Sequence, residues 1–168
     1  MELRIEPLGR QHDRAGFSCG QAELDAWFHR RASQDEKRNV ARVFVAVDGE
    51  GRVAGFYSLG SFALAIADLP EEIARRLPRY EAIPAALIGR LARDERWRGQ
   101  GVGDLLLADA IRRILGAGRS VAVFAIVVDA KDDRAAAFYE GYGFRRFPSR
   151  PLRLFLPIAT ALAALERL

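Results

Sequence analysis

The stretch Arg98-Gly99-Gln100-Gly101-Val102-Gly103 constrains this chain most, because of what flanks it. Ala85 to Leu91 before it is an apolar run that reads as a buried strand. Asp104 to Leu115 after it reads as a helix. A glycine-rich turn between strand and helix points several backbone N–H groups at one spot, and the helix N-terminus adds partial positive charge there. Such a turn suits a pyrophosphate, and glycines allow close backbone approach and positive φ. A plain glycine turn capping a helix has the same local spelling, so the motif alone does not decide between ligand and cap.

The alternatives for the ligand differ in their flanking residues. A Walker loop needs Gly-Lys-Ser/Thr, which is missing. A Rossmann turn usually opens a first βαβ unit and has an acidic residue roughly 20 positions on. Here the motif lies past mid-chain and has two of the three glycines at that spacing. The chain of 168 residues is read as one domain, residues 1–168, with no run near the roughly 18 apolar residues of a membrane helix. Met1 to Glu6 lacks a signal-peptide core, so the cytoplasm is the default expectation. The single cysteine, Cys19, excludes an internal disulfide. Net charge is +4, and the excess is arginine: Lys37 and Lys131 are the only lysines. Arginine grips phosphate with a planar fork, so the excess permits an anionic cofactor or RNA without demanding either.

Hydrophobic spacing gives the coarse order of elements. Leu3 to Leu8 reads as a strand, and Ala22 to Asp35 as one amphipathic helix carrying Leu24, Trp27 and Phe28. Val43 to Val47 and Val53 to Leu59 read as strands joined by a turn at Asp48-Gly49-Glu50-Gly51. Pro70 to Leu77 is a short predicted helix, Ala85 to Arg93 the central strand, and Gly116-Ala117-Gly118 the end of the helix after the glycine loop. Val121 to Val128 reads as a strand covered on both faces, and Asp132 to Tyr139 as a helix capped by Asp132 or Asp133. Phe144 to Phe147 and Leu152 to Leu156 form a closing hairpin, while the tail Ile158 to Leu168 has no assigned place. The expected fold is α/β, a mixed central sheet with helices on both faces.

Arg-x-x-Gly-x-Gly at Arg98–Gly103, followed by Ala-x-x-Phe-Tyr-x-x-x-Gly-Phe at Ala135–Phe144, resembles the GNAT superfamily of N-acetyltransferases. The resemblance implies a GNAT-like fold and acetyl-CoA as donor, with Arg98, Gly99, Gln100, Gly101, Val102 and Gly103 on its pyrophosphate. It also implies that the backbone of Leu91, Ala92 and Arg93 bonds the cofactor arm and acyl oxygen, and that the Tyr139 hydroxyl lies beside the cofactor sulfur. A phenol with pKa near 10 can donate a hydrogen bond or proton to a departing thiolate. In isolation Tyr139 reads as an aromatic core filler; Arg98–Gly103, one strand and one helix upstream, turns the reading to the catalytic role. Asp132 stands where many members have Asn, which leaves its cofactor contact open.

The resemblance narrows further. Phe17-Ser18-Cys19-Gly20 with Leu24-Asp25-Ala26-Trp27-Phe28, Gly55-Phe56-Tyr57-Ser58-Leu59, and Ile83-Pro84 with Gly89-Arg90-Leu91-Ala92 are similar to segments of the GNAT toxins of type II toxin–antitoxin pairs. It implies acetylation of the α-amine of charged tRNA, arrest of translation, a small ribbon-helix-helix antitoxin, and a homodimer. An α-amine has pKa near 8 and is partly neutral at pH 7, so it needs little help from a base. His12 and His29 lie far from the motif, and Asp94 and Glu95, at the end of the central strand, read either as candidate bases or, in preference, as solvated loop charges. Arg90, Arg93, Arg31 and Arg38 are candidate RNA contacts, beside Arg30, Lys37, Arg75, Arg76, Arg79 and Arg96. Trp97 is read either as a stacking platform or as a core residue. No metal site is expected. The competing readings are a GNAT enzyme for a small amine or protein N-terminus, and a non-catalytic acyl-CoA-binding module.

Overall fold

A computed structural model describes residues 2–166. Seven strands form one sheet in the order β1-β2-β3-β4-β5-β7-β6. The strands are β1 (Arg4–Pro7), β2 (Arg42–Val47), β3 (Val53–Ala65), β4 (Ala82–Arg93), β5 (Ala125–Asp129), β6 (Arg145–Phe147) and β7 (Arg150–Pro157). The helices are α1 (Ala22–Arg30), α2 (Ala32–Lys37), α3 (Glu71–Ala74), α4 (Val102–Ala117), α5 (Asp133–Glu140) and α6 (Ile158–Leu165). β4 runs parallel to β5, whereas β2–β3, β5–β7 and β6–β7 are antiparallel, so the sheet is mixed as expected. The chain divides into two compact units, one made of residues up to Gly60 with Gly89–Ala110, the other of Ser61–Ile88 with residues from Ile111 on.

In the first unit, alternation along β3 sorts the packing. Phe56 points to α1, where its ring stacks on Phe28 at 4.1 Å between centroids and meets Phe17 and Trp27. Gly55, one residue back, points the other way. A Cβ there would lie 2.8 Å from Leu106 Cδ1, 2.9 Å from Ala92 O and 3.1 Å from Val102 Cγ1. Glycine is therefore what lets α4 sit tightly on that face, and helices cover both sides of the sheet. Tyr57, again on the α4 side, donates its hydroxyl proton to Asp109.

The predicted helix Ala22 to Asp35 is two helices. The chain breaks at Arg31 (φ −115°, ψ −24°), and Asp35 of α2 accepts a hydrogen bond from Trp27 Nε1 at 2.9 Å. No glycine or proline marks the break, which is why spacing alone does not reveal it. β3 runs on to Ala65, past Leu59, where the predicted strand ends.

In the second unit, Ala85–Ile88 of β4 pair with Ala125–Val128 of β5, and all four of those β5 residues are fully buried. The core joins Leu64, Ile83, Val127, Phe147 and Phe155. Val121 does not belong to the strand: it is 69% exposed, and regular pairing begins at Ala125. Pro70 caps α3, which is shorter than predicted, and Ile73, Ala74 and Leu77 pack against the core. The tail forms α6 through Leu165, with Ala161 and Ala164 buried; positions 167–168 of the tail lie outside the described residues.

Candidate active site

The glycine loop leaves β4 through a short 3-10 turn, Glu95–Trp97, and enters α4 at Val102. Gly99 (φ 77°) and Gly101 (φ 75°) both occupy the left-handed region that favours glycine. A Cβ at either would meet nothing within 4 Å, so the requirement is conformational and the space beside each glycine is open. Leu105 N–H bonds Gly101 O at 3.0 Å, which closes the first turn of a helix of 16 residues. The N–H groups ahead of that bond have no acceptor within the helix and point out of its positive end. Arg98, Gly99, Gln100 and Gly101 are exposed, and Val102 is buried under the loop. This is an anion-binding arrangement of backbone rather than of side chains.

What holds the loop from below is Asp94. Its side chain is buried, and it accepts from Ser18 N–H (3.1 Å), Arg96 N–H (2.9 Å), and Arg96 Nε and Nη2 (each 3.0 Å). Its own N–H donates to Ala54 O at 2.8 Å, and Glu95 N–H to Ser18 O at 2.9 Å. Burial works against the ionised carboxylate, yet the Arg96 guanidinium and the backbone donors outweigh it and hold the carboxyl below its usual range. The reading of Asp94 as a solvated loop charge is corrected: it is a buried pin. Its four accepted bonds leave it no proton-shuttling task. Glu95 is exposed, as read. Trp97 is buried, 8% exposed, which makes it a core residue under the loop rather than an open stacking platform. An Asp-x-Arg directly after an apolar strand was the available signal for this pin, and charge type alone concealed it.

The strand ahead of the loop supplies a second set of backbone groups. The ladder with β5 covers Ala85–Ile88 and then stops, while β4 continues to Arg93. Leu91, Ala92 and Arg93 thus carry backbone amides beyond that ladder. Arg93 adds a further feature: among the described residues its buried Nη1 meets no hydrogen-bond acceptor. A buried donor without acceptor is costly unless a ligand completes it. Arg90, two residues before Ala92, lays its guanidinium over the Trp27 ring at 4.1 Å.

Tyr139 belongs to the second unit. Asp132 caps α5, its carboxylate accepting from Ala135 N–H at 2.8 Å, so that oxygen is already engaged by the helix. Tyr139 is 5% exposed and lies edge-on to Phe138 (5.3 Å) and Phe144 (5.6 Å). Its carbonyl accepts from Tyr142 and Phe144 N–H groups across the turn that Gly143 (φ 98°) permits. Burial, and secondarily the negative charge of Asp129, push the phenol above its ordinary value. Arg153 holds both Asp129 oxygens, at 2.7 and 3.1 Å. The phenol is therefore protonated throughout the neutral range, a donor and not a base.

Neither histidine is placed for chemistry. His12 Nδ1 accepts from Gly9 N–H at 2.9 Å, which leaves Nε2 to donate to Glu6 Oε1 at 2.7 Å. His29 Nε2 donates to Phe17 O at 2.8 Å. Arg31 and Arg38, with Arg30 and Lys37, are exposed around α1 and α2, and Arg75, Arg76 and Arg79 are exposed after α3.

Comparison with known proteins agrees with this geometry. Residues 39–146 match the family model described as "Acetyltransferase (GNAT) domain". The chain is 41% identical over 165 residues to "Probable toxin TacT" of Sinorhizobium fredii, covering 93% of this chain and 91% of that protein. It is 39% identical over 151 residues to a "tRNA-acetylating toxin" of Mycobacterium tuberculosis, covering 90% and 89%. A solved structure, "AtaT complexed with acetyl-methionyl-tRNAfMet", superposes with a TM-score of 0.86 at 27% identity over 99% of this chain and 100% of that one. With a family model spanning more than half of the chain, a matching mixed sheet, and a glycine loop at the head of α4, the chain belongs to the GNAT family of acetyltransferases.

Proposed function

We propose that this chain, acting as a single domain over residues 1–168, transfers the acetyl group of acetyl-CoA to the α-amine of an aminoacyl-tRNA. Translation stops as a result, which makes the chain the toxin of a toxin–antitoxin pair. The observation that carries the reading is the left-handed Gly99 and Gly101 at the N-terminus of α4, in a chain 39% identical to a tRNA-acetylating toxin over nine-tenths of its length. Arg98 to Gly103 take the cofactor pyrophosphate through their N–H groups. The amides of Leu91, Ala92 and Arg93 take the pantetheine arm and the acyl oxygen, an oxyanion site for the tetrahedral intermediate. The Arg93 Nη1 that lacks an acceptor suits the same anionic ligand.

The amine nitrogen attacks the thioester carbon, and its surplus proton leaves to solvent, as an α-amine with pKa near 8 allows. The C–S bond then breaks and the sulfur departs as a thiolate, to which Tyr139 presents its hydroxyl. A thiol has pKa near 8.5, below even an unperturbed phenol, so Tyr139 stabilises the thiolate chiefly by hydrogen bonding. The raised phenol pKa strengthens that assignment. The reading puts the protein in the cytoplasm with charged tRNA, as a homodimer held in check by a ribbon-helix-helix antitoxin; no helix among the described residues is long and apolar enough to cross a membrane.

The test is labelled acetyl-CoA with total charged tRNA, deacylated tRNA, and the Tyr139→Phe variant. Label on charged tRNA alone, and only with Tyr139 intact, is the expected result. Transfer to free amines or peptides without RNA would assign the chain to a small-amine or N-terminal acetyltransferase instead. Tight acetyl-CoA binding with turnover on no amine would make it a binding module.

A further inference from the structure

Three acids of the α1–α2 region, Asp25, Asp35 and Glu36, are engaged in local hydrogen bonds, while Glu23 of α1 is exposed. Asp35 accepts from Trp27 Nε1 at 2.9 Å, and Glu36 accepts from Val43 N–H at 2.7 Å and from Arg42 at 3.2 Å. Asp25 accepts from Cys19 N–H at 2.9 Å. These bonds fasten the helices to the sheet and to the preceding turn. Asn39, in the left-handed region at φ 60°, ends α2, and its side chain accepts from Arg42 at 2.8 Å.

The cations Arg30, Arg31, Lys37 and Arg38 are all exposed. None of the four has an ion-pair partner among the described residues. Arg30 and Arg31 close α1 and Lys37 and Arg38 close α2, where each helix C-terminus favours a cation or two near its last carbonyls. Five arginines elsewhere are paired with acids: Arg52 with Asp48, Arg96 with Asp94, Arg145 with Glu72, Arg146 with Asp133, Arg153 with Asp129.

We infer that the outward side of α1–α2, through Arg30, Arg31, Lys37 and Arg38, grips the phosphodiester backbone of the acceptor RNA. This rests on the tRNA reading above. Exposed cations without an ion-pair partner suit phosphates, and three of the four are arginines, whose planar fork matches phosphate oxygens. Contacts of this kind fix register and orientation without reading sequence.

The experiment titrates the full chain with deacylated tRNA across a salt series, which needs no acetyl transfer. In the variant Arg30→Gln, Arg31→Gln, Lys37→Gln, Arg38→Gln the slope of log affinity against log salt falls in magnitude by about three. Affinity at 0.15 M salt drops roughly 100-fold, and the KM for charged tRNA rises with it while acetyl-CoA affinity holds. Arg30→Lys, Arg31→Lys, Arg38→Lys keeps the wild-type slope. A slope unchanged in the glutamine variant overturns the inference, as does a wild-type protein that binds no tRNA. A glutamine variant that keeps the tRNA slope and loses a polyglutamate peptide would give this side to an acidic protein partner. If the slope falls as expected but the wild type acetylates no charged tRNA, the RNA-binding side stands and the proposed reaction fails.

Discussion

The glycine loop and Tyr139 solve opposite problems. The loop is exposed, and under the proposed function its recognition groups are backbone amides set by two left-handed glycines and a helix end. Tyr139 is buried, and its proposed role rests in one side-chain oxygen on a ring packed by Phe138 and Phe144. A backbone site tolerates side-chain exchange but not a changed φ, whereas a side-chain site tolerates neighbours shifting but not loss of its one atom. The two regions also differ in their support. A buried charge, Asp94, fixes the first, and an apolar cluster fixes the second.

The largest expected effect is at Tyr139. Tyr139→Phe keeps the packing and removes the oxygen, so kcat falls about 100-fold or more while acetyl-CoA affinity is held, as steady-state kinetics and calorimetric titration will read. A fall of less than threefold would make Tyr139 a packing residue. Next is Asp94→Asn, which weakens the bonds that the buried carboxylate accepts from Ser18 N–H and from the exposed Arg96 and costs about 1–3 kcal/mol in urea unfolding. A cost under 0.5 kcal/mol would contradict the pin. Its linkage has a definite sign: because the folded carboxyl titrates below its unfolded value, the stabilisation is complete above the unfolded pKa near 3.9 and disappears as pH falls through the folded one. Wild type should therefore lose stability below pH 4 more steeply than the variant.

Gly55→Ala forces a methyl against Leu106 and the Ala92 carbonyl and costs about 1–3 kcal/mol, visible as a lowered Tm. Gly101→Ala meets no atom, so its cost is the left-handed backbone alone, about 1 kcal/mol, and it appears as weaker acetyl-CoA binding, by roughly fivefold. Gln100→Ala should change that affinity by less than about twofold, since the loop works through its amides. A larger effect at Gln100 than at Gly101 would reverse the backbone reading. The two regions also predict a pH profile. Activity rises toward pH 8 as the α-amine loses its proton, and the upward shift of the Tyr139 phenol keeps any falling limb above pH 10.

Much of this was legible in the residues themselves. Two β-rich runs around a glycine turn located β2 and the start of β3, and an apolar run located β4. The glycine pair with its flanking strand and helix located the loop, because the conformations involved are local and nearly glycine-specific. The Ala-x-x-Phe-Tyr element placed Tyr139 on a helix capped by Asp132 for the same local reason. The break at Arg31, the continuation of β3 past Gly60, and the exclusion of Val121 from β5 were not legible. Each depends on what the segment packs against.

Charge shows the division most plainly. Asp94, Asp35 and Glu36 carry the same letters as any solvated acid, and nothing adjacent to them says which way they point. The sequence by itself determined that a glycine turn in left-handed conformation sits between a strand and a helix, since φ and helix polarity are properties of a few consecutive residues. Only the tertiary structure decided that Asp94 is the buried pin of that turn and that Asp35 and Glu36 are held by Trp27 and Val43 while Arg30, Arg31, Lys37 and Arg38 are exposed. Burial and pairing of a charge depend on residues distant in sequence. Ser18 N–H meets a carboxylate at position 94, and no local pattern encodes that separation.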